Sequence, residues 1–266
     1  MSPGSATAYS DEQAAELYDV LNASGDDHDF YLELVMDARA VLDVGCGTGR
    51  LLHRAREAGH PGRLCGVDPD PAMLGIARRR TDVEWLEATA ASLPFVGEFD
   101  LAVMTGHAFQ CLVGADELHA SLAAIRRALV DGGLFAFETR NPGARAWERW
   151  HGSSIAAVDA SGRAVRVSYD VEAVVDDVVT FTETTSDVDG TVLRVDRASL
   201  RFLGVGELDV LLSSSGLEVE ARYGGWAREP FQPESPELIS VARRCAGADD
   251  DAPLTMSGQA RRGAGA

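Results

Sequence analysis

The residues best suited by type and spacing to do chemistry are an acid and three alternate glycines, Asp43-x-Gly45-x-Gly47-x-Gly49, within VLDVGCGTGR. An apolar run around the acid predicts a buried strand, and the residues from Arg50 onwards predict a helix. A strand that turns sharply into a helix needs glycine, because glycine adopts positive φ without strain and lets a ligand approach the backbone. Since ligands of open α/β sheets bind at the carboxyl ends of the strands, this turn predicts a binding site.

A second acid, Asp68, ends the apolar run 64–67 and is followed by Pro69 in CGVDPDPAML. This position predicts the end of the next strand, where a carboxylate can accept hydrogen bonds from the two hydroxyls of a ribose. A dinucleotide fingerprint would read Gly-x-Gly-x-x-Gly, and the spacing here differs from it. The two acids and the glycine turn therefore favour a nucleoside-containing ligand. The alternative is a Rossmann-like domain that binds some other nucleotide or none.

Further polar side chains follow the later strands. The predicted strand FDLAVM, residues 99–104, leads into TGHAFQCL and so brings His107 to the same edge. A histidine there titrates in the range useful to a general base, although a loop histidine can also simply satisfy neighbouring carbonyls. Arg140 and Asn141 leave the next predicted strand on the ligand side. Arg140 could bind a carboxylate of a substrate or form a structural ion pair.

Together the glycine turn and Asp68 resemble the class I S-adenosylmethionine-dependent methyltransferases. The resemblance covers residues 10–245 and implies an α/β fold with a Rossmann-like seven-stranded sheet and an N-terminal helical lid. It also implies that the glycine turn lies under the methionine and ribose parts of S-adenosylmethionine. The cofactor-binding residues implied in this way are Tyr18, Asp43, Gly45, Cys46, Gly47, Asp68, Pro69, Met73, Thr89, Ala90, Thr105 and Gly106.

One segment departs from the pattern of that family. The family usually has Gly-Asp-Ala before x-x-Leu-Pro-Phe, and its Asp bonds the adenine amine. Counting back from Leu93 places Ala88, Thr89 and Ala90 at those positions. The Thr89 hydroxyl could still accept a hydrogen bond from the amine, and the Ala90 N–H could reach a ring nitrogen. The departure puts selective adenine recognition in question, but not cofactor binding as such.

The residues expected to contact the methyl acceptor come from separate parts of the chain. Two tyrosines of the predicted lid, Tyr18 and Tyr31, either contact ligands or anchor the lid to the core. A short helical piece at 144–150 carries two tryptophans, Trp147 and Trp150, and a late loop carries Trp226. The candidate acceptor-binding residues are Tyr31, Arg140, Asn141, Trp147 and Trp226.

An insertion, residues 143–204, interrupts the β/α alternation between the fifth and sixth strands. Its sequence alternates apolar and polar residues over three predicted antiparallel strands within 165–203, and Asp189-Gly190 predicts a hairpin turn. The unit is too small for a strong core of its own, so we expect it to pack on the main domain as a wall over the acceptor site. A dimerisation sheet is the alternative. Residues 1–9 and 246–266 are predicted to be disordered.

Composition limits the partners. With 42 acids against 24 Lys and Arg, the net charge of −18 argues against nucleic acid, which needs a basic face. The chain has neither an apolar run long enough for a membrane helix nor a secretory signal at its start, which predicts a cytoplasmic protein. The four scattered cysteines predict reduced thiols and no metal site. We expect a small-molecule acceptor and a monomer or homodimer.

The resemblance implies transfer of a sulfonium methyl group to an O or N atom by in-line displacement. The protein then contributes mainly by aligning the reactants and excluding water, and a base such as His107 is needed only if the acceptor must lose a proton. One alternative is a methyltransferase-fold protein that catalyses a cyclase-like reaction or only binds the cofactor. Others are a nicotinamide-dependent oxidoreductase, disfavoured by the glycine spacing, and a nucleic-acid methyltransferase, which would carry an Asn-Pro-Pro-aromatic motif.

Overall fold

The computed structural model describes residues 9–22 and 25–246, except for the side chains of Asp26 and His28. The predicted disordered tails lie outside the described residues, apart from Tyr9 and Ala246. Tyr9 is buried, and its hydroxyl donates a hydrogen bond to Asp159 at 3.1 Å. The described chain therefore begins with a residue packed against the insertion.

Two β-sheets organise the molecule, and their strands follow one another along the chain. The strands are β1 Ala40–Val44, β2 Arg63–Asp68, β3 Glu84–Glu87, β4 Phe99–Met104, β5 Leu129–Arg140, β6 Ser153–Val158, β7 Ala164–Val175, β8 Val178–Asp187, β9 Val192–Arg201, β10 Leu217–Tyr223 and β11 Glu237–Arg244. The central sheet has the order β10-β11-β5-β4-β1-β2-β3. This confirms the predicted Rossmann-like sheet of seven strands.

Strand direction decides which residues meet at the ligand edge. β1 to β5 are mutually parallel where they pair, whereas β11 runs antiparallel to both β5 and β10. The first residue of β11, Glu237, is therefore in register with the last residue of β5, Arg140. The carboxyl ends of the parallel strands and the amino end of β11 share one edge.

Six α-helices accompany the sheets within the described residues. They are α1 Asp11–Leu21, α2 Asp26–Asp37, α3 Arg50–Glu57, α4 Pro71–Ala77, α5 Ala115–Ala128 and α6 Val205–Ser214. Ser10 and Gln13 form a reciprocal capping box that starts α1, and the Asp70 carboxylate caps α4 ahead of Pro71. None of the described helices is long and apolar enough to cross a membrane.

The central sheet is covered on both faces because its inner strands are apolar on both sides. Leu42 of β1 belongs to a cluster with Phe135 of β5 and Leu122 of α5. Its neighbour Val41 points the other way and belongs to a cluster with Phe30 of α2. Such two-sided burial is typical of parallel sheets and fixes the strand ends that carry polar residues.

The insertion forms a second, antiparallel sheet in the order β6-β7-β8-β9. The sequence predicts three of these strands, and the structure adds β6, whose sequence SSIAAV has little polar alternation to mark it. Val165 and Val167 of β7 and Leu193 of β9 pack with Tyr9 and with Leu17 of α1. The lid helix α1 and Tyr9 therefore cover the apolar side chains that β7 and β9 present on this face of the insertion.

Candidate active site

A cavity of about 720 Å³ opens at the ligand edge of the central sheet. Its floor is the glycine turn after β1 together with the ends of β4 and β5. Its walls are α1 on one side and the insertion sheet on another. Ten of the residues singled out from the sequence line it, namely Tyr18, Asp43, Gly45, Cys46, Gly47, Met73, Thr105, Gly106, His107 and Arg140.

The glycine turn has the backbone geometry that the sequence predicts. Gly45, Gly47 and Gly49 have φ values of 74°, 54° and 79°. A Cβ on Gly49 would lie 2.4 Å from the Trp85 ring, so this glycine is required for packing as well as for conformation. A Cβ on Gly47 would meet nothing within 4 Å, and Gly47 lines the cavity. The turn therefore exposes bare backbone to a ligand.

Asp43 carries a buried carboxylate that lacks a partner. It is 1% exposed, and its Oδ1 has no hydrogen bond within the described part of the chain. Burial, and then the charges of Asp68 and Glu138, raise the pKa of Asp43 to about 8. Because an unpaired buried acceptor is costly, this oxygen suits a donor supplied by a ligand. The amino group of a methionine moiety fits the requirement, and so the donor set here fits S-adenosylmethionine.

The second acid is close to the turn but outside the cavity walls. Asp68 accepts hydrogen bonds from the N–H of Gly47 at 2.8 Å and from the N–H of Asp70 at 2.9 Å. Burial raises the pKa of Asp68, while these two N–H donors act against the rise. Asp68 thus ties the glycine turn to the start of α4. Its role in holding ribose stays a prediction.

The segment expected near adenine forms a short 3-10 helix, Ala90–Ser92. Thr89 caps this helix, and its Oγ1 lies 3.0 Å from the Ser92 Oγ. Pro69, Thr89 and Ala90 lie outside the cavity walls, whereas Met73 belongs to them. The adenine-binding roles of Pro69, Thr89 and Ala90 stay predictions.

The lid helix α1 is fastened to the glycine turn. The Thr48 hydroxyl donates to the Asp19 carboxylate at 2.6 Å, and Arg50 donates to the backbone carbonyls of Asp19 and Asn22. Tyr18 of α1 lines the cavity near Gly106, where its hydroxyl lies 3.2 Å from the position of an added Cβ. α1 therefore closes one side of the cavity from the turn outwards.

His107 is held from two sides. Its backbone adopts φ 62°, and its N–H donates to Glu138 at 2.6 Å. Its ring Nε2 lies 2.9 Å from the Glu237 carboxylate. An ionised carboxylate only accepts, so Nε2 carries the hydrogen and Nδ1 is left as the basic nitrogen. Tyr31 donates its hydroxyl to the same Glu138.

Sequence reasoning missed Glu237 and the anchoring role of Glu138. Both had a signal. Glu237 directly follows Pro236 and is the first residue of a final antiparallel strand, and such a strand begins at the edge where the parallel strands end. Glu138 is an acid that directly follows the apolar run 134–137 of β5, and burial raises its pKa. Acids in such positions are retained where they have specific partners, here Tyr31 and the backbone of His107.

Of the five predicted acceptor-binding residues, Arg140 alone lines the cavity within the described structure. Tyr31 and Trp226 pack together beside Phe30, with the Tyr31 and Trp226 rings 6.0 Å apart. Asn141 holds a loop by donating to the carbonyls of Pro233 and Ser235. Trp147 packs edge-on against Phe202. Contacts of these four residues with an acceptor stay predictions.

The wall formed by the insertion carries residues that the sequence did not single out. Tyr169 of β7, Glu183 of β8 and Asp196 of β9 are in register across the sheet and line the cavity. Phe181 also lines it, and the Trp150 ring lies 5.5 Å from the Phe181 ring. Burial, and then Asp196, raise the pKa of Glu183, while the Tyr169 hydroxyl bonds to it. This wall is aromatic and acidic.

Comparison with known proteins agrees with this geometry. Residues 41–133 match the family model described as a methyltransferase domain. The chain is similar to the cypemycin N-terminal methyltransferase of a Streptomyces species, with 29% identity over 253 residues, which is 88% of this chain and 97% of that protein. The match spans the glycine turn, the ligand edge and the insertion.

Solved structures share the fold. A sugar N-methyltransferase from Streptoalloteichus sp ATCC 53650 superposes with a TM-score of 0.70 at 23% identity, over 92% of this chain and 99% of that one. An amino pentose methyltransferase from Micromonospora echinaspora, solved with S-adenosylmethionine bound, gives a TM-score of 0.65 at 23% identity over 86% and 96%. The glycine turn, the unpaired Asp43 oxygen and these matches together support a class I S-adenosylmethionine-dependent methyltransferase.

Proposed function

We propose that the protein methylates an amine nitrogen of a small-molecule acceptor, which binds between the central sheet and the insertion sheet. The observation that carries this proposal is Glu183. Glu183 lines the cavity, and burial raises its pKa. The charge of Arg194 acts against this rise, but Arg194 forms its ion pairs with Asp196 and Asp11 and not with Glu183. An ammonium group would supply the missing positive charge, and the rings of Tyr169 and Phe181 would cover its carbon chain.

The neighbouring charges support Glu183 as the group left for the ligand. Asp196 is paired with Arg194 at 2.6 Å, and Arg194 is paired with Asp11 of α1. Two carboxylates therefore share the one guanidinium of Arg194, which leaves no second cation on this wall for Glu183 among the described residues. Similar proteins named for amine methylation, the cypemycin N-terminal and sugar N-methyltransferases, support the same class of acceptor.

The chain's own residues prepare the acceptor. S-adenosylmethionine, when bound, supplies a methyl group already activated by its positive sulfur. His107 accepts the ammonium proton at Nδ1, and Glu237 holds the opposite Nε2–H and stabilises the charged ring that results. The lone pair freed in this way would be the nucleophile for that methyl group. Tyr18 and α1 exclude water from the donor side of the cavity.

The test is product mass. The purified protein is incubated with S-adenosylmethionine and a panel of primary amines, each matched with the corresponding alcohol. We expect the amines to gain one CH₂ unit with stoichiometric S-adenosylhomocysteine, and the alcohols to react far more slowly. Methylation of the alcohols alone would replace the proposal by O-methylation. A product without an added CH₂ unit would favour the cyclase-like alternative.

We further infer that nucleic acid is not the acceptor and that the protein is cytoplasmic, as a monomer or homodimer. The net charge of −18 supports the first point, since nucleic-acid substrates require phosphate neutralisation. Native mass measurement and a gel-shift titration with RNA and DNA test the proposal. A stable trimer or higher assembly, or a shift at low micromolar protein, would contradict it.

A further inference from the structure

Arg140 occupies an unusual position for an arginine. It ends β5 and lines the cavity beside His107. Its guanidinium lies over the Trp150 ring, 5.1 Å from the ring centroid. Its Nη1 donates to the Gln110 side-chain oxygen at 3.1 Å, and the Gln110 amide in turn donates to the backbone carbonyl of Arg201. One face and one edge of the guanidinium are therefore fixed by neutral groups.

No carboxylate of the described residues pairs with Arg140. The other two arginines on the cavity wall have such partners, Arg50 with Asp19 and Arg194 with Asp196. Glu237 is opposite Arg140 in register, but its carboxylate is bonded to His107. Burial lowers the pKa of Arg140, and the charges of Glu237 and Glu138 act against this fall, although neither carboxylate forms an ion pair with the guanidinium. A partly buried arginine without an anion is costly unless a ligand provides one.

The free edge of Arg140 indicates the shape of that anion. Nε and Nη2 have no hydrogen-bond partner among the residues that the structure describes, and together they form a two-pronged donor. Such a fork matches the two oxygens of a planar carboxylate. A dianionic phosphate is less suited, because Arg140 is a single cation and Asp43, Glu183 and Asp196 line the same cavity.

The carboxylate of the cofactor is the obvious rival for this position. The glycine turn follows β1, and β5 lies two strands away in the order β1-β4-β5. Neighbouring strands are about 4.8 Å apart, so the end of β5 lies roughly 10 Å to the side of the end of β1. β4, the strand that leads to His107, therefore lies between Arg140 and the glycine turn.

We propose that Arg140 binds a carboxylate of the methyl acceptor, which is therefore an amino acid or another molecule carrying both an amine and a carboxylate. The inference rests on the proposed function, because the amine is placed against Glu183. Arg140 on the central sheet and Glu183 on the insertion sheet then bind opposite ends of one zwitterion. Gln110 and Trp150 hold the guanidinium in place and act as positioning residues.

The experiment uses matched acceptors and the full-length protein. The acceptors are L-tyrosine against tyramine and L-phenylalanine against phenethylamine, with O-phosphoethanolamine against β-alanine to separate phosphate from carboxylate. We expect kcat/KM to favour each carboxylate-bearing member roughly 10- to 100-fold, mostly through KM, as for one charge-assisted contact. Arg140→Gln should abolish this preference, so that L-tyrosine is used no better than tyramine and L-phenylalanine no better than phenethylamine.

Controls separate the possible failures. Arg166→Gln removes an equal charge from the exposed face of β7 and should keep the preference. Calorimetric affinity for S-adenosylhomocysteine should be the same in wild type and Arg140→Gln, and a large loss would overturn the proposal by assigning Arg140 to the cofactor. Equal rates for both members of each pair, or a preference for the phosphate, would also overturn it while leaving amine methylation intact.

A readout without turnover decides the case in which no amine is methylated. 3-(4-Hydroxyphenyl)propionate has the carboxylate but no amine, and its binding to the S-adenosylhomocysteine complex can be measured by calorimetry. Binding that weakens at least tenfold in Arg140→Gln supports the carboxylate subsite even if the proposed function fails. If 3-(4-hydroxyphenyl)propionate does not bind, or binds equally well to Arg140→Gln, the proposal of a carboxylate subsite at Arg140 is wrong.

Discussion

At the residue scale, the site is defined by charges that its own chain leaves uncompensated. Among the described residues, Asp43 has a buried oxygen without a donor, and neither Glu183 nor Arg140 forms an ion pair within 4.0 Å, although opposite charges lie further away. Each such group lowers the stability of the ligand-free protein, since burial without a partner costs free energy. The same groups become complementary when donor and acceptor are both bound. The ligand-free protein therefore has a lower free energy of unfolding than it would have if these groups were paired.

Asp43 gives a prediction about stability and pH. Its carboxyl has a pKa of about 8 in the folded chain against 3.8 normally, so folding favours the protonated form. The stabilisation is complete below about pH 4 and is lost as pH rises towards 8. Asp43→Asn should remove this loss and raise the free energy of unfolding at pH 8 by on the order of a few kcal/mol, while weakening the affinity for S-adenosylhomocysteine.

Chemical denaturation at pH 5 and pH 8 checks the first part, and calorimetry checks the second. Asp209→Asn, an exposed acid of α6, is the matched control and should change neither quantity much. If Asp43→Asn destabilises the protein at pH 8, the carboxylate has a favourable partner and the reasoning is wrong.

His107 and Glu237 give a prediction about rate. His107→Asn keeps a residue that tolerates the positive φ, so the loop should stay folded. We expect kcat with an amine acceptor to fall about 10²- to 10⁴-fold near neutral pH, and less at high pH, where the amine deprotonates unaided. Glu237→Gln should lower kcat by a smaller factor. Neither change should alter the affinity for S-adenosylhomocysteine.

The control for this series is His119→Asn on α5, outside the cavity. The rates are measured by mass spectrometry of reactions quenched at set times, across pH 6.5 to 9.5. A His107→Asn variant with undiminished turnover would show that His107 is not the base. Its pairing with Glu237 would then be a structural contact only.

At the scale of elements, the cavity lies between two sheets, and the proposed function divides the two ligands between them. The turn after β1 and the lid α1 form the donor side, and β7, β8 and β9 form the opposite wall. α1 serves both, because it is bonded to the turn through Thr48 and Arg50 and packs on β7 through Leu17. Movement of α1 would open both halves together.

The wall predicts a selective effect on the acceptor. Glu183→Gln keeps the shape and the contact with Tyr169 but removes the charge that faces the cavity. We expect KM for amine acceptors to rise about tenfold, as for one lost charge-assisted contact, with cofactor affinity unchanged. Glu172→Gln, on the exposed end of β7 and paired with Arg197, is the control. A rise in the cofactor dissociation constant instead would place Glu183 on the donor side.

The elements also show how much the sequence can predict. The strand, the glycine turn and the helix at 40–57 follow from local apolar pattern and glycine chemistry, and the structure has all three. β6 was not predicted, because its short, weakly patterned sequence depends on pairing with β7. Long-range register likewise sets the pairing of Glu237 with His107 and the row Tyr169–Glu183–Asp196. No local rule encodes contacts between residues so distant in the chain.

At the scale of the whole molecule, net charge is the dominant property. A net charge of −18 on 266 residues favours solubility, but the negative side chains repel one another in the folded state. We therefore expect Tm to rise with NaCl between 20 and 500 mM, because the Debye length over which charges repel each other falls from about 20 Å to about 4 Å in that range. Differential scanning calorimetry at constant pH measures it, with sucrose as an uncharged control. A fall in Tm would mean that the surface ion pairs outweigh the repulsion.

The insertion wall, which the proposed function assigns to the acceptor, is encoded by one continuous segment of the gene. Strands β6 to β9 are a single uninterrupted stretch, residues 153–201, whereas the donor side draws on α1, the glycine turn and the ends of β4 and β5. One recombination event can therefore exchange the wall as a cassette while the methyl-donor machinery is inherited intact. Tyr9 and Leu17 would have to change with it, since they fill the seam against β7. New acceptors can be acquired in a lineage without rebuilding the donor site.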